Sequence, residues 1–273
     1  TLGRGGSDTS AVAVAAAIHA ARCDIYTDVD GVYTTDPRIV PAASRLDRIS
    51  YEEMLEMASL GAKVLQTRSV EMAMKHHVPL LVRSSFEEPQ TLVPAFAEEN
   101  VQAGTLVCDE DEIMEQHIVS GIAYSRDEAK VTILSVEDKP GISAAIFGPL
   151  ADANINVDMI VQNVSEDGRF TDMTFTVPVT EFERAQSVMQ KLKDEIGFRD
   201  LISSTDVVKV SVIGVGMRSH AGVAARMFKA LADKGINIQA IATSEIKISV
   251  LIDAAYTELA VRALHSVYGL DKK

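Results

Sequence analysis

Cysteine is close to absent: Cys23 and Cys108 are the only two in 273 residues. Two thiols so placed build neither a disulfide framework nor a metal-ligand spacing. Basic charge is short as well, with 26 Lys and Arg against 39 Asp and Glu and a net charge of −13. Phosphate backbones are bound by lysine- and arginine-rich faces, so this balance argues against nucleic acid as a partner. No apolar run approaches the ~18 residues of a membrane span, which argues against a membrane partner. The alanine-rich run at 11–21 is broken by His19 and lacks a basic leader, so it is no secretion signal. A cytoplasmic location is expected. An initiating methionine is missing too. The chain opens Thr-Leu-Gly-Arg, already inside a glycine-rich motif, and is expected to be a fragment or one piece of a nicked protein. What is present is a globular composition, 47% hydrophobic and 24% charged, long enough for about two domains of roughly 150 residues.

One stretch is said twice. Residues 130–163, KVTILSVEDKPGISAAIFGPLADANINVDMIVQN, return as 209–244, KVSVIGVGMRSHAGVAARMFKALADKGINIQAIATS. Gly141 aligns with Gly222, Phe147 with Phe228, Leu150 with Leu231 and Asn156 with Asn237 at one constant spacing. That spacing exceeds the roughly 20–50 residues of solenoid repeats, so two copies of a small domain are expected rather than an array. In each copy a β-branched strand leads through a glycine loop to a helix and a second strand. The first copy runs on through a hairpin at Glu166-Asp167-Gly168, a further strand, a helix and a last strand, a βαββαβ unit. The second stops one strand short. The unclaimed segment 117–125, HIVSGIAYS, reads as a strand and would cover the open edge. The first copy is therefore expected to be inserted within the second.

Ahead of the repeats, TLGRGGSD leads into a helix expected at about 9–22, with Ser7 or Asp8 as its cap. Glycines and a free helix N-terminus suit a bound anion, although a capped glycine turn that binds nothing reads the same way. CDIYTD reads as a short buried strand, followed by VDGVYTTDPR, whose Asp30-Gly31 and Asp36-Pro37 pairs signal turns. Polar groups at the carboxyl end of a strand in an α/β sheet are where ligands bind. A solvated loop is the bland alternative. Ser50 and Glu53 form a capping box for a helix at 50–60. His76 and His77, being adjacent, point to different helix faces and do not make a metal pair. PLLVRSS is a continuous apolar strand, and strand–helix–strand order means α/β. Residues 86–115 are acidic and weakly periodic, as expected of an edge strand and linker.

GRGGSD, TDVDGVYTTDPR, GAKVLQTRSVE, PLLVRSS and the paired repeats with DKPG and QNVS together resemble the aspartate kinases of the amino-acid kinase family. The repeats resemble ACT domains, small modules that bind amino-acid effectors. The resemblance covers nearly the whole chain. It implies an α/β fold: part of an amino-acid kinase three-layer sandwich over 1–95, a linker at 96–116, a first ferredoxin-like ACT domain at 127–207, and a second from 117–126 plus 208–273. It also implies transfer of the γ-phosphoryl group of ATP, bound with Mg2+, to the β-carboxylate of L-aspartate. Aspartate would lie at Arg4 and Ser7, with Asp8 beside the reacting groups. Nucleotide would lie at Thr27, Asp28, Tyr33, Arg38 and Lys63. L-Threonine and L-lysine are the implied effectors, at Asp138, Gly141, Ile155, Asn156, Val157 and Gln162 in the first copy and at Asn237, Ile238, Ser244 and Glu245 in the second. A homodimer through the ACT repeats is implied, and a larger oligomer with a catalytic chain is possible.

The sequence departs from the family pattern in one respect. The lysine-bearing KFGGTS segment with which aspartate kinases open does not occur here, so this polypeptide alone is expected to be silent. A regulatory, amino-acid-sensing subunit is the alternative, although such a subunit needs no TDVDGVYTTDPR loop. A glutamate or acetylglutamate kinase is made less fitting by the paired repeats. Differing loops, DKPG against RSHAG and QNVS against ATSE, imply different roles for the two copies.

Overall fold

The computed structural model describes residues 5–61, 64–86, 104–113, 118–166 and 168–271. They form three four-stranded sheets, each with its own helices.

The first unit starts at α1 (Gly6–Ala17), which begins and ends earlier than its composition suggests. Its N-cap is Gly5, in the left-handed region at φ 74°, and Ser7 and Asp8 lie inside the first turn rather than capping it. Ser7 donates instead to the Asp8 carboxylate at 3.2 Å. An acidic side chain there meets the positive end of the helix dipole. The helix stops at Ala17, and His19 turns left-handed at φ 51°. The chain continues through β1 (Cys23–Thr27), β2 (Arg48–Ser50), α2 (Tyr51–Ser59), α3 (Thr67–His76), β3 (Leu80–Ser84) and β4 (Thr105–Cys108). The sheet order is β1-β3-β4-β2, with β1 parallel to β3, β2 parallel to β4, and β3 antiparallel to β4. The expected linker at 96–116 is thus corrected: Thr105–Cys108 is an inner strand of this sheet. TLVC is short and set among acids, yet Val107 and Cys108 are wholly buried. Burial pushes the Cys108 thiol up to about 11.

The two repeats follow as β5 (Gly121–Ser125), β6 (Ala129–Glu137), α4 (Ile142–Asp152), β7 (Asp158–Val164), β8 (Phe170–Val177), α5 (Phe182–Lys191), α6 (Lys193–Ile196), β9 (Asp200–Ser204), β10 (Val207–Ile213), α7 (Val223–Asp233), β11 (Ile238–Thr243), β12 (Lys247–Asp253) and α8 (Thr257–Val267). β7-β8-β6-β9 is one sheet and β11-β12-β10-β5 the other. β5 therefore pairs, antiparallel, with β10 of the second repeat, and the first repeat lies between them in sequence.

Burial explains the arrangement. In β6 alternate residues Ala129, Val131 and Ile133 face α4 and α5, as period two requires. In β10 every residue is buried. Val208, Val210 and Val212 pack with α7 and α8. On the other face, Val207 joins Met159 of β7, while Ile213 joins the core of the first unit. The second repeat is thus held between the kinase-like sheet and the first repeat.

Candidate functional site

Thr27 and Asp28 stand where β1 ends, with the Thr27 hydroxyl donating to Asp28 at 3.1 Å. The neighbouring parallel strand supplies Ser85, whose N–H and hydroxyl both donate to the Thr27 carbonyl, at 2.7 and 2.9 Å. Two parallel strands ending together form the crevice in which α/β sheets bind ligands.

The polar loop that follows is built like a short hairpin. Leu46 N–H donates to Val32 O, and Thr34 N–H to Ser44 O. Thr105 of β4 ties both arms, accepting from Val32 N–H at 2.8 Å and donating to Leu46 O at 2.6 Å. Gly31 lies so close to Thr105 and Arg45 that a Cβ would collide with both. Tyr33 donates to Asp30 at 3.0 Å, and Arg45 reaches the same carboxylate at 3.4 Å. Burial, followed by the bond to Asp30 and its charge, pushes the Tyr33 phenol up. Arg38 forks onto Asp36, Nε to Oδ1 at 3.0 Å and Nη2 to Oδ2 at 2.8 Å. That bond holds the Asp36 carboxyl below its ordinary value. Tyr124 of β5 reaches Asp36 from the other side at 3.3 Å. Among the nucleotide residues expected from sequence, Thr27 ends β1 and Asp28, Tyr33 and Arg38 follow on the loop that leaves it.

Gly5 packs on Gln66, the N-cap of α3, so closely that a Cβ would overlap its side chain. This brings the start of α1, at Gly5, against the segment that follows Lys63. Arg4 and Lys63 themselves lie outside the described residues.

In the first repeat, Asp138, Gly141 and Gln162 line an open cleft of about 390 Å³ with Lys139, Pro140, Ile142 and Ser143. Gly141, at φ 93°, caps α4, and a Cβ there would meet nothing, so the glycine serves the backbone turn. Asn156 is exposed and Val157 half-buried. Ile155 does not line the cleft: its side chain is in the core, and its N–H donates to Leu150 O, closing α4. In the second repeat, Gly222 caps α7 in the same way at φ 92°. There Arg218 of the intervening loop spans Glu245, at 3.4 Å, and Glu110 of the first unit, at 2.7 Å. Asn237 is exposed, Ile238 is half-buried, and Ser244 N–H closes a turn on Lys247 O. The two loops carry different chemistry on one backbone plan.

Comparison with known proteins bears on these sites. The profile described as amino acid kinase family matches residues 1–84, and two ACT domain profiles match 130–197 and 210–268. The chain is 60% identical over 272 residues to an aspartate kinase of Pseudomonas putida, covering 99% of this chain and 63% of that protein. It is 48% identical to a chain in the crystal structure of aspartokinase alpha and beta subunits, covering 55% of this chain and 98% of that one, with a TM-score of 0.52. The chain belongs to the aspartokinase family. The structure of E. coli aspartokinase III in complex with aspartate and ADP is 32% identical with a TM-score of 0.76, covering 98% of this chain and 56% of that one. This aspartokinase chain spans 63% of the length of the Pseudomonas relative.

Sequence reading missed Gln66, Thr105, Arg218, Arg262 and His265. Thr105 bonds the loop backbone and Gln66 packs on Gly5, each from a remote segment, and nothing local in LQT or GTLVC signals that. His265 lies in the buried face of α8, with Thr34 Oγ1 at 2.9 Å from its Nε2.

Proposed function

We propose that this chain is the nucleotide side and regulatory module of an aspartate kinase, which transfers the γ-phosphoryl group of MgATP to the β-carboxylate of L-aspartate. The product is 4-phospho-L-aspartate, which opens the route to lysine, threonine and methionine. The observation that carries this reading is the loop 28–38, with its tyrosine and arginine set at the carboxyl end of β1, in a chain that also holds two ACT units. Phosphoryl transfer asks for positioning and charge stabilisation more than covalent chemistry, so hydroxyls, helix amides and cations around the phosphates suffice. Thr27, Asp28, Tyr33, Arg38 and Lys63 hold the nucleotide, with magnesium entering on it. Asp36 aims Arg38, whose fork can transfer to a phosphate. Arg4 and Ser7 take the aspartate, and Asp8 stands beside the reacting groups. The cleft at Asp138, Gly141 and Gln162 takes an amino-acid effector, threonine in preference to lysine. Its ammonium pairs with Asp138 and its carboxylate with amides at the start of α4. The ACT units hold two chains as a dimer in the cytoplasm.

ADP release in the presence of aspartate tests this. The chain alone is silent, and turnover returns when the amino-terminal kinase half is supplied. Turnover by the chain alone refutes the need for a second half. Silence of the assembled pair favours the alternative, a regulatory subunit. That alternative is supported by the regulatory subunit of Thermus thermophilus aspartate kinase, 99% of which is covered at 41% identity. Asp138→Ala lowers effector affinity in calorimetry without loss of fold. Unchanged affinity removes Asp138 from the site.

A further inference from the structure

The nucleotide loop, tied to its own sheet by Thr105, is also held by the second ACT unit. Ile122 N–H of β5 donates to Thr34 O at 2.7 Å. His265 Nε2 of α8 shares a hydrogen bond with Thr34 Oγ1 at 2.9 Å, and both side chains are almost wholly buried. Arg262 Nε, one turn earlier on α8, donates to Ile39 O at 2.9 Å. Ser44 closes the loop on Leu270 O at 3.2 Å. Ile39 and Val40 are part of the second unit's own hydrophobic core. The two α8 contacts fall on either side of Arg38, and Tyr33 directly precedes the residue bonded to His265.

We infer that Arg262 and His265 are positioning residues of the nucleotide site: α8 fixes the backbone at Thr34 and Ile39 so that Tyr33 and Arg38 face the nucleotide. This rests on the reading of 28–38 as the nucleotide loop. The geometry favours it over simple adhesion between units, because adhesion would be served by apolar packing alone. Here, directional bonds, a buried one at the Thr34 hydroxyl and a half-buried one at the Ile39 carbonyl, land on the loop five residues apart. Arg262 is also steadied from its own helix by Glu258 at 3.0 Å, which keeps its fork aimed at the loop. The second ACT unit then belongs to the nucleotide site itself, and the first is left as the sensor.

Steady-state kinetics on the complete kinase, with the aspartate-side half present, tests this. Thr34→Val, which removes a buried hydrogen bond, raises KM for MgATP about three- to tenfold, Arg262→Met, which removes a half-buried one, raises it about two- to fivefold, and both leave KM for aspartate in place. Thr34→Ser, which keeps the hydroxyl, restores the wild-type value. If both variants lower Tm but leave KM for MgATP unchanged, α8 is only adhesive and the inference fails. It fails equally if KM for aspartate rises in step. Photolabelling of the wild-type enzyme by azido-ATP only at sites away from both residues 27–38 and Lys63 would instead overturn the nucleotide-loop reading, and this inference with it.

Discussion

Lys209 enters β10 with its ammonium buried, paired with Glu128 and with Asp158 at 2.7 Å. Glu128 precedes β6 and Asp158 opens β7 of the first ACT unit, and Lys209 belongs to the second. Burial alone would raise the Asp158 carboxyl and lower the Lys209 ammonium. The bonds and charges between the partners outweigh it, so Asp158 lies below and Lys209 above its ordinary value. The sign follows from linkage. The Asp158 contribution is complete above 3.8 and is lost as pH falls through its depressed folded value; the Lys209 contribution is complete below 10.5 and is lost as pH rises through its raised one. Lys209→Met leaves Glu128 buried without its cation and costs about 3–5 kcal/mol, read as a fall in the denaturant midpoint. Its acid limb below pH 3.8 should be flatter than that of the wild type. An unchanged midpoint would mean that water reaches Glu128. Nothing local in DEAKV or VVKVS announces this triad, because its members are brought together only by the insertion.

At the scale of elements, α2 shows what a local signal conveys and what it withholds. SYEE reads as a capping box, and the box is present: Ser50 Oγ accepts from Glu53 N–H at 3.2 Å, and Glu53 Oε2 accepts from Ser50 N–H at 3.1 Å. Hidden from sequence is the second carboxylate oxygen, which accepts from the Ser120 hydroxyl at 2.6 Å and from Val215 N–H at 2.9 Å, joining α2 to the second ACT unit. Glu53→Ala therefore removes more than a cap. It strands buried donors in two units and costs about 1–3 kcal/mol in thermal or denaturant unfolding. A loss of only a few tenths would reduce Glu53 to a cap. β5 offers a parallel case. The repeat's missing strand was legible because an open sheet edge needs cover, and the structure has β5 on β10 in antiparallel register. Hydrogen exchange should find amides 121–125 opening with β10 and not with β6. β4 was illegible as an inner strand because four residues carry too little periodicity to stand out among acids. α1 was misjudged at both ends: Gly5 caps it through backbone conformation, which no side-chain cap rule detects.

At the scale of the whole molecule, the kinase-like unit leaves large apolar side chains exposed. β1 is an edge strand, and Tyr26 on it and Val14 and Ile18 on α1 are more than half exposed. An amino-terminal kinase half that assembles with this chain is expected to cover some of these side chains. Ile18→Glu should weaken that assembly by about tenfold or more, given roughly 1.5–3 kcal/mol for each large side chain buried. It should leave the Tm of this chain alone unchanged, with titrated ADP release as the readout. Undiminished assembly would place the contact elsewhere. Light scattering at micromolar concentration should give a dimer, and a monomer would contradict pairing through the ACT units.

The entry and exit of the inserted repeat lie side by side, since Ser125, just before it, is the register partner of Lys209, just after it. The chain thus leaves the second ACT unit and returns to it at nearly one point. The first unit is a cassette, and a short loop from 125 to 207, which keeps Val207 and Val208 in β10, would bridge the gap. Sensors of different specificity could be exchanged at that one junction, by recombination or by design, while the strand pairing beneath it stays as it is.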